Sequence, residues 1–370
     1  MKTLSVGQCC SINDSTLQPC LKDNVEIVVF GKGVGECVLI KTATNKIIIV
    51  DSFINIETGN PVALDYLNKI GLSFDNICCV VLTHFHDDHI KGTFDILEKT
   101  NFKVDLVVNP IFRSKHLLSE ISNKSVVDME KNLSGISEIT KLLSKMISFK
   151  EASFNKTIFV DSDDKSFSIV SLSPHDKELF NFLDSLSIEE KNSIIENYGS
   201  DKENIYSVVL LVKTNRGCFL LGGDYLNKQG NICEGWKLLA EEYSKMFDCK
   251  SFIFKIPHHG SKSAFNEMVW SNMVTEKPVS VTSIYNRGKK VPTDEEIEWV
   301  CNKSSSYFLN GGTKSDSDLE RIFRKTIGTT KVLFKDGKLG FTRFVINPLG
   351  KIEIIDCVGC VEKVIIDANK

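Results

Sequence analysis

The segment Thr83-His84-Phe85-His86-Asp87-Asp88-His89 sets three imidazoles and a carboxylate in the spacing H-x-H-x-D-H. Imidazole and carboxylate together are the donors of a divalent-metal site, zinc first, with manganese or iron as the alternatives. His84 and His86 alternate on an extended loop, so their rings can point the same way. Asp88 and His89 follow where the chain turns toward the next helix and aim at a neighbouring position. The pattern fits a two-metal site better than a polar loop of satisfied histidines. The chain holds seven histidines, and six of them, His84, His86, His89, His175, His258 and His259, fall at or just beyond the ends of predicted strands. Strand ends are where open α/β layers collect ligands and catalytic groups. His116 lies in a helical stretch and reads as a surface histidine.

The elements that must position these groups alternate between strand and helix. Strand patterns open at 25–30, 37–42 and 46–52 around a glycine turn at 31–35, and read as a hairpin opening a sheet. A strand rather than a helix follows the G-x-G-x-G turn, which argues against a nucleotide fingerprint. Residues 61–71 carry apolar residues at helical spacing between a proline and a glycine. The run ICCVVLTH (77–84) is a buried strand entering the histidine loop, and IKGTFDILEKT after it reads as a helix. Further strands are expected at 104–110, 156–161, 167–173, 206–214, 217–224, 251–257 and 279–285, with helices at about 233–247 and from PTDEE, a capped start. This is the pattern of an α/β layered architecture. Helical insertions are expected at about 111–155 and 176–200, and residues 301–370 read as a small β-rich extension to a domain spanning 1–300.

Composition bounds the functional class. The 370 residues include 45 Lys+Arg and 48 Asp+Glu, a net charge of −3, so general nucleic-acid binding through net charge is disfavoured. Apolar runs reach only about six residues against the roughly 20 of a membrane span, so no membrane insertion is expected. The first ten residues lack the apolar core of a secretory signal, so a cytoplasmic location is expected. Twelve cysteines then read as free thiols. The one C-x-x-C, Cys357 to Cys360, is a weak metal signal, read as ordinary thiols rather than a site shared with Cys9, Cys10 or Cys20.

The order of motifs resembles the metallo-β-lactamase-fold hydrolases. VVFGKGVGECVLIKTATNKIIIVDS (28–52) is similar to their opening hairpin and ends in Asp51, HFHDDH (84–89) to their metal motif, and LLGGD (220–224) to the strand ending in the bridging aspartate. KIPHHGS (255–261), with the stretch Gly33 to Cys37, resembles the catalytic domain of ComEC competence proteins and related phosphodiesterases. The resemblance covers about residues 25–300 and implies a four-layer αββα sandwich. It implies that His84 and His86 bind a first metal, that Asp88, His89 and His259 bind a second, and that Asp224 bridges them. It places Asp88 and His258 in the catalytic set, His258 as a contact to substrate phosphate, although the order of His258 and His259 could be reversed. Asp51 is expected to orient the metal loop by hydrogen bonds. His175, after Pro174, is the expected third histidine of the first metal, with a loop histidine or proton shuttle as the alternative. Two departures stand out. Lys290-Val291-Pro292 takes the place of a Gly-His-Pro element, and Glu36 stands where an aspartate is common.

Two divalent metals, zinc or manganese, about 3.5–4 Å apart would share a hydroxide with pKa lowered toward about 7. Its target is expected to be a phosphodiester or nucleic acid, because HHGS offers a donor-rich rim with close backbone approach. Lys255, Lys262, Arg287, Lys289 and Lys290 are read as local cations beside it, against a bland basic loop. A thioester or lactone hydrolase, and a non-catalytic scaffold of the same fold, are the alternatives.

Overall fold

Among the described residues, runs of β-branched residues become two eight-stranded sheets. The computed structural model describes residues 22–31, 35–110, 149–185, 201–228, 234–285, 291–311, 339–358 and 360–364, with 138, 141, 142 and 145. The first sheet starts with the antiparallel strands β1 (Val25–Gly31), β2 (Glu36–Lys41) and β3 (Ile47–Val50). It continues in parallel through β4 (Ile77–Leu82), β5 (Asp105–Val108) and β6 (Phe149–Glu151). The second sheet runs from β7 (Lys156–Val160) through β8 (Ser168–Ser171), β9 (Leu210–Thr214) and β10 (Gly217–Leu221). The parallel strands β11 (Ser251–Lys255), β12 (Val274–Ser283) and β13 (Ser306–Asn310) follow.

The C-terminal stretch completes both sheets. β14 (Gly340–Ile346) pairs with β1 along its whole length, from Val25↔Ile346 to Gly31↔Gly340, and β15 (Ile352–Val358) pairs with β14. β16 (Cys360–Val364) crosses to the other sheet and pairs with β13. A buried charge cluster ties β14 to β1: Arg343 Nε donates to Glu26 at 2.9 Å, and Lys41 Nζ lies 3.7 Å from the same carboxylate.

Alternation along the strands sorts residues into layers. Ile27 and Val29 of β1 join Val38, Val81, Phe219, Ile253, Val281 and Phe308 in an apolar layer between the sheets. Val28 and Phe30 face the other way, onto α1 (Val62–Ile70) and α3 (Thr93–Lys99). The second sheet's outer face packs under α5 (Trp236–Met246), α6 (Glu267–Asn272) and α7 (Asp294–Lys303). The result is the expected mixed α/β sandwich, with helices outside two facing sheets.

Several elements differ from the sequence reading in their limits. The helix expected over IKGTFDILEKT is divided: a single turn, α2 (Asp87–Ile90), precedes α3, because Gly92 adopts φ 85 between them. β12 begins at Val274, before the expected 279, through a register irregularity against β11. Thr293 and Glu296 form the expected capping box at α7. α4 (Asp176–Ser185) begins the second insertion; residues 186–200, and nearly all of 111–148, lie outside the described residues. Cys37, Cys78, Cys79, Cys218, Cys249 and Cys301 are free thiols, and the burial of Cys78 pushes its thiol up to about 12. Among the described residues, no helix is long and apolar enough to cross a membrane.

Candidate metal centre

The parallel strands of the two sheets end along one edge of the sandwich, and there the histidines gather. β3 runs into Asp51, β4 into Thr83 and His84, β10 into Asp224, and β11 into His258 and His259. Donor atoms of His84, His86 and Asp224 lie within 4.8 Å of one another, as do those of Asp88, His89 and His259. Asp224 connects the two groups. Its Oδ2 lies 3.9 Å from His84 Nε2, 3.5 Å from His89 Nε2 and 3.4 Å from His259 Nε2. Asp88 Oδ2 lies 3.4 Å from His259 Nε2 and 3.8 Å from His89 Nε2.

Hydrogen bonds behind the rings decide which nitrogen each presents. Asp51 is buried at φ 59 and accepts from Thr83 N at 2.7 Å, Thr83 Oγ1 at 2.6 Å and His89 Nδ1 at 2.7 Å. Thr83 has one hydroxyl proton, which goes to the carboxylate. Its oxygen then accepts from His84 Nδ1 at 3.0 Å. His259 Nδ1 donates to the Ser283 carbonyl at 2.9 Å. His84, His89 and His259 therefore all turn Nε2 toward the carboxylates, the outer hydrogen bonds fixing ring and tautomer.

The backbone is bent to make this arrangement. Asp51, His258 and His259 all have positive φ without being glycine, and non-glycine residues held there cost about 1–3 kcal/mol each. Asp224 follows Gly223, at φ 51, and its N–H donates to Ser207 Oγ at 2.9 Å.

The charges interlock. Burial pushes the His84 imidazole down, helped by His89 and His86. Burial would also push His259 down, but Asp224 and Asp88 raise it to about 10. His89 is likewise raised against its burial by Asp224, Asp51 and Asp88. Burial works to raise Asp88 and Asp224, yet the facing imidazolium charges hold both carboxyls well below the ordinary range. Three buried atoms here, His84 Nε2, His89 Nε2 and Asp224 Oδ1, have no hydrogen-bond partner among the described residues. Buried polar atoms are rarely left so, and a divalent cation that displaced the imidazolium proton would satisfy all three at once. The residues fit a metal pair.

His175 is not brought into these groups. It packs on Phe154 with ring centroids 4.9 Å apart, and its Nδ1 accepts from Lys177 N at 3.1 Å at the start of α4. The HHG loop separates its two histidines. His259 faces Asp88 and Asp224, while half-buried His258 hydrogen-bonds through Nδ1 to Ser263 Oγ at 2.8 Å. Ser263 Oγ in turn donates to Ser261 Oγ at 3.0 Å. Lys262 is exposed beside them, but Lys255 is not a rim cation: it is fully buried, paired with Glu36 and donating to the Gly223 carbonyl at 2.9 Å. As the last residue of β11, on the same side as Ile253, it points into the layer between the sheets. Arg287, Lys289, Lys290 and His116 lie outside the described residues, as do Cys9, Cys10 and Cys20. The supporting roles of Thr83, Ser207, Ser263 and Ser283 carried no sequence signal beyond nearness to a motif or a strand end.

Residues 30–143 match the sequence model of the Metallo-beta-lactamase superfamily. Comparison with curated proteins gives no significant match. Among solved structures, the chain is similar to the metallo-beta-lactamase fold protein YhfI from Bacillus subtilis, at 10% identity and TM-score 0.40 over 77% of this chain and 95% of that one. It is similar to Igni18, a novel metallo hydrolase from Ignicoccus hospitalis, at 15% identity and TM-score 0.36 over 70% and 81% of the two chains. It is also similar to MEM-A1, a subclass B3 metallo-beta-lactamase from a soil metagenome library, at 9% identity and TM-score 0.36 over 68% and 83%. The two-sheet sandwich and the matching segment agree on the metallo-beta-lactamase superfamily fold.

Proposed function

We propose that this chain is a metal-dependent hydrolase of phosphodiesters, in the ComEC-like branch, acting on a small phosphodiester or a nucleic acid. The observation that carries the hydrolase reading is the convergence of His84, His86, Asp88, His89, His259 and Asp224, with the buried His84 and His89 Nε2 atoms lacking partners. His84, His86 and Asp224 would hold one cation, and Asp88, His89, His259 and Asp224 the other. Two such cations supply Lewis acidity and an activated water for attack on a phosphoryl or acyl group.

The chain's own residues do the rest. Asp51 and Thr83 hold His84 and His89 in the ligating tautomer. Asp224, with carboxylate charge on the side of both groups, fixes their spacing. The phosphodiester preference rests on the 258–263 loop. His258 donates Nδ1–H to Ser263, which fixes the ring of a side chain able to transfer a proton to a substrate oxygen or a leaving group. Exposed Lys262 adds charge at the same rim. Any nucleic-acid contact is confined to this rim, since the chain carries a net charge of −3.

A panel of bis(p-nitrophenyl) phosphate, single-stranded DNA, RNA, cyclic nucleotides, phosphocholine esters, thioesters and lactones tests this with zinc- or manganese-loaded protein. Turnover of a phosphodiester that His258→Ala lowers is expected. Turnover of thioesters or lactones alone would move the protein to acyl hydrolysis. Unchanged metal content in both His86→Ala and Asp224→Ala would leave a scaffold.

A further inference from the structure

Beneath the metal centre, at one end of the apolar layer between the sheets, two charges face each other. Glu36 opens β2 and, like Val38 and Ile40 two and four residues on, points into that layer. Lys255 ends β11 on the same side as Ile253. Both are buried: Glu36 is 2% exposed and Lys255 is 0%. A buried pair of this kind gains little by itself, because desolvating both charges offsets their attraction. Lys255 also uses only half of the carboxylate. It engages Glu36 Oε1 and the Gly223 carbonyl, while Glu36 Oε2 is buried without a hydrogen-bond partner among the described residues.

The remaining oxygen has somewhere to go. Donor atoms of Glu36, His89 and Asp224 lie within 4.8 Å of one another, and His89 Nε2 and Asp224 Oδ1 are likewise buried without partners. Three residues, from β2, α2 and the turn after β10, bring donor atoms to one small volume under the centre.

We propose that Glu36 is a further carboxylate ligand of this centre, binding through Oε2 the divalent cation that His89 and Asp224 share. This inference rests on the dinuclear reading above. It gives Glu36 two partners, Lys255 at Oε1 and the cation at Oε2, and so leaves no buried oxygen uncompensated. It also makes that side of the centre richer in oxygen, with Asp88, Asp224 and Glu36 beside His89 and His259. Carboxylate donors suit manganese more than imidazole donors do, so manganese is the cation whose binding depends most on Glu36.

Manganese binding to the full chain, followed by EPR titration and by metal analysis after gel filtration, tests the assignment. Wild-type protein is expected to take up two equivalents. Glu36→Gln, close in shape but uncharged, is expected to weaken binding at least tenfold. Lys255→Met separates ligation from the ion pair. It removes the partner of Oε1 but keeps the carboxylate, and is expected to bind manganese at least as tightly as wild type. Equal affinity in wild type and Glu36→Gln, or equal losses in Glu36→Gln and Lys255→Met, would overturn the assignment while leaving the dinuclear reading intact. A wild-type chain that takes up no metal would remove both. Should either variant fail to fold, a crystal structure of manganese-loaded wild type decides. Oε2 within about 2.5 Å of a cation is expected from carboxylate–metal distances of about 2.0–2.2 Å, and a separation beyond about 3.5 Å would overturn the assignment.

Discussion

Replacing Asp51 with asparagine changes almost nothing in shape and reverses the hydrogen bonding behind two rings. In the wild type, Oδ1 accepts from Thr83 N, and Oδ2 accepts from both Thr83 Oγ1 and His89 Nδ1, all at 2.6–2.7 Å. The amide keeps the first contact and offers N–H groups where the other two donors need an acceptor. His89 then lowers its energy by giving up its Nδ1 proton and keeping one on Nε2, the atom that faces Asp224 and Asp88. Thr83 turns its hydroxyl away, and His84 loses the acceptor that set its tautomer. A buried donor left unpaired costs about 1–3 kcal/mol, so the chelator-treated variant is expected to lose about that much stability. Loss of a hydrogen bond behind a metal-binding histidine typically costs about 10–100-fold in metal affinity, or about 1.4–2.7 kcal/mol. Asp51→Ala leaves three donors unpaired and is expected to cost about 3–9 kcal/mol by the same reasoning. Competition titration against a chromophoric chelator measures the affinity, and thermal unfolding of metal-free protein measures the stability. If Asp51→Asn bound metal within twofold of wild type, the tautomer argument would be refuted.

Three further outcomes follow from the same geometry. In chelator-treated protein the His259 imidazole is raised to about 10 from an ordinary 6.5, so its stabilising contribution is complete below about pH 6.5 and is lost as pH rises through about 10. The melting temperature of metal-free protein is therefore expected to fall between pH 7 and 10, and that of metal-loaded protein, in which the proposed ligation would displace the His259 Nε2 proton, to lack this fall. Asp161 joins the β7–β8 loop to the β2–β3 turn through Lys46 and Thr44, which outweigh its burial and hold its carboxyl down at about 2. Its contribution is present above the ordinary 3.8 and lost as pH falls through about 2, so Asp161→Asn is expected to lower stability at pH 7 and flatten that acid limb in a pH series of melts. Gly223→Ala would bring a Cβ to 2.8 Å from the Val208 carbonyl and 2.7 Å from Ser207 Oγ, at φ 51. It is expected to cost about 1–3 kcal/mol in denaturant unfolding and to lower metal content by displacing Asp224.

Much of the candidate site was legible because its donor residues are local in sequence. His84 to His89 are contiguous, and Asp224 and the HHG loop stand at strand ends whose apolar runs are plain in the sequence. What escaped reading depends on contacts between distant segments. Thr83 is one residue from the motif, but its role exists only because β3 lies beside β4 and delivers Asp51. Lys255 looks like one more rim cation until the alternation of β11 turns it inward to Glu36. His175 follows a strand as the other histidines do, yet the chain turns into α4 and sets its ring on Phe154. The fold class was readable from the alternation of strand and helix. The pairing of β14 with β1 was not, since an antiparallel partner so far along the chain leaves no local mark.

The central claim is that this centre holds two cations and uses them on a phosphodiester. Turnover of bis(p-nitrophenyl) phosphate, measured while manganese is titrated into metal-free protein, tests it most directly. Activity is expected to rise to a plateau at two equivalents per chain and to be absent from Asp224→Ala at every metal concentration. No turnover at any loading, or equal turnover in Asp224→Ala, would contradict the account.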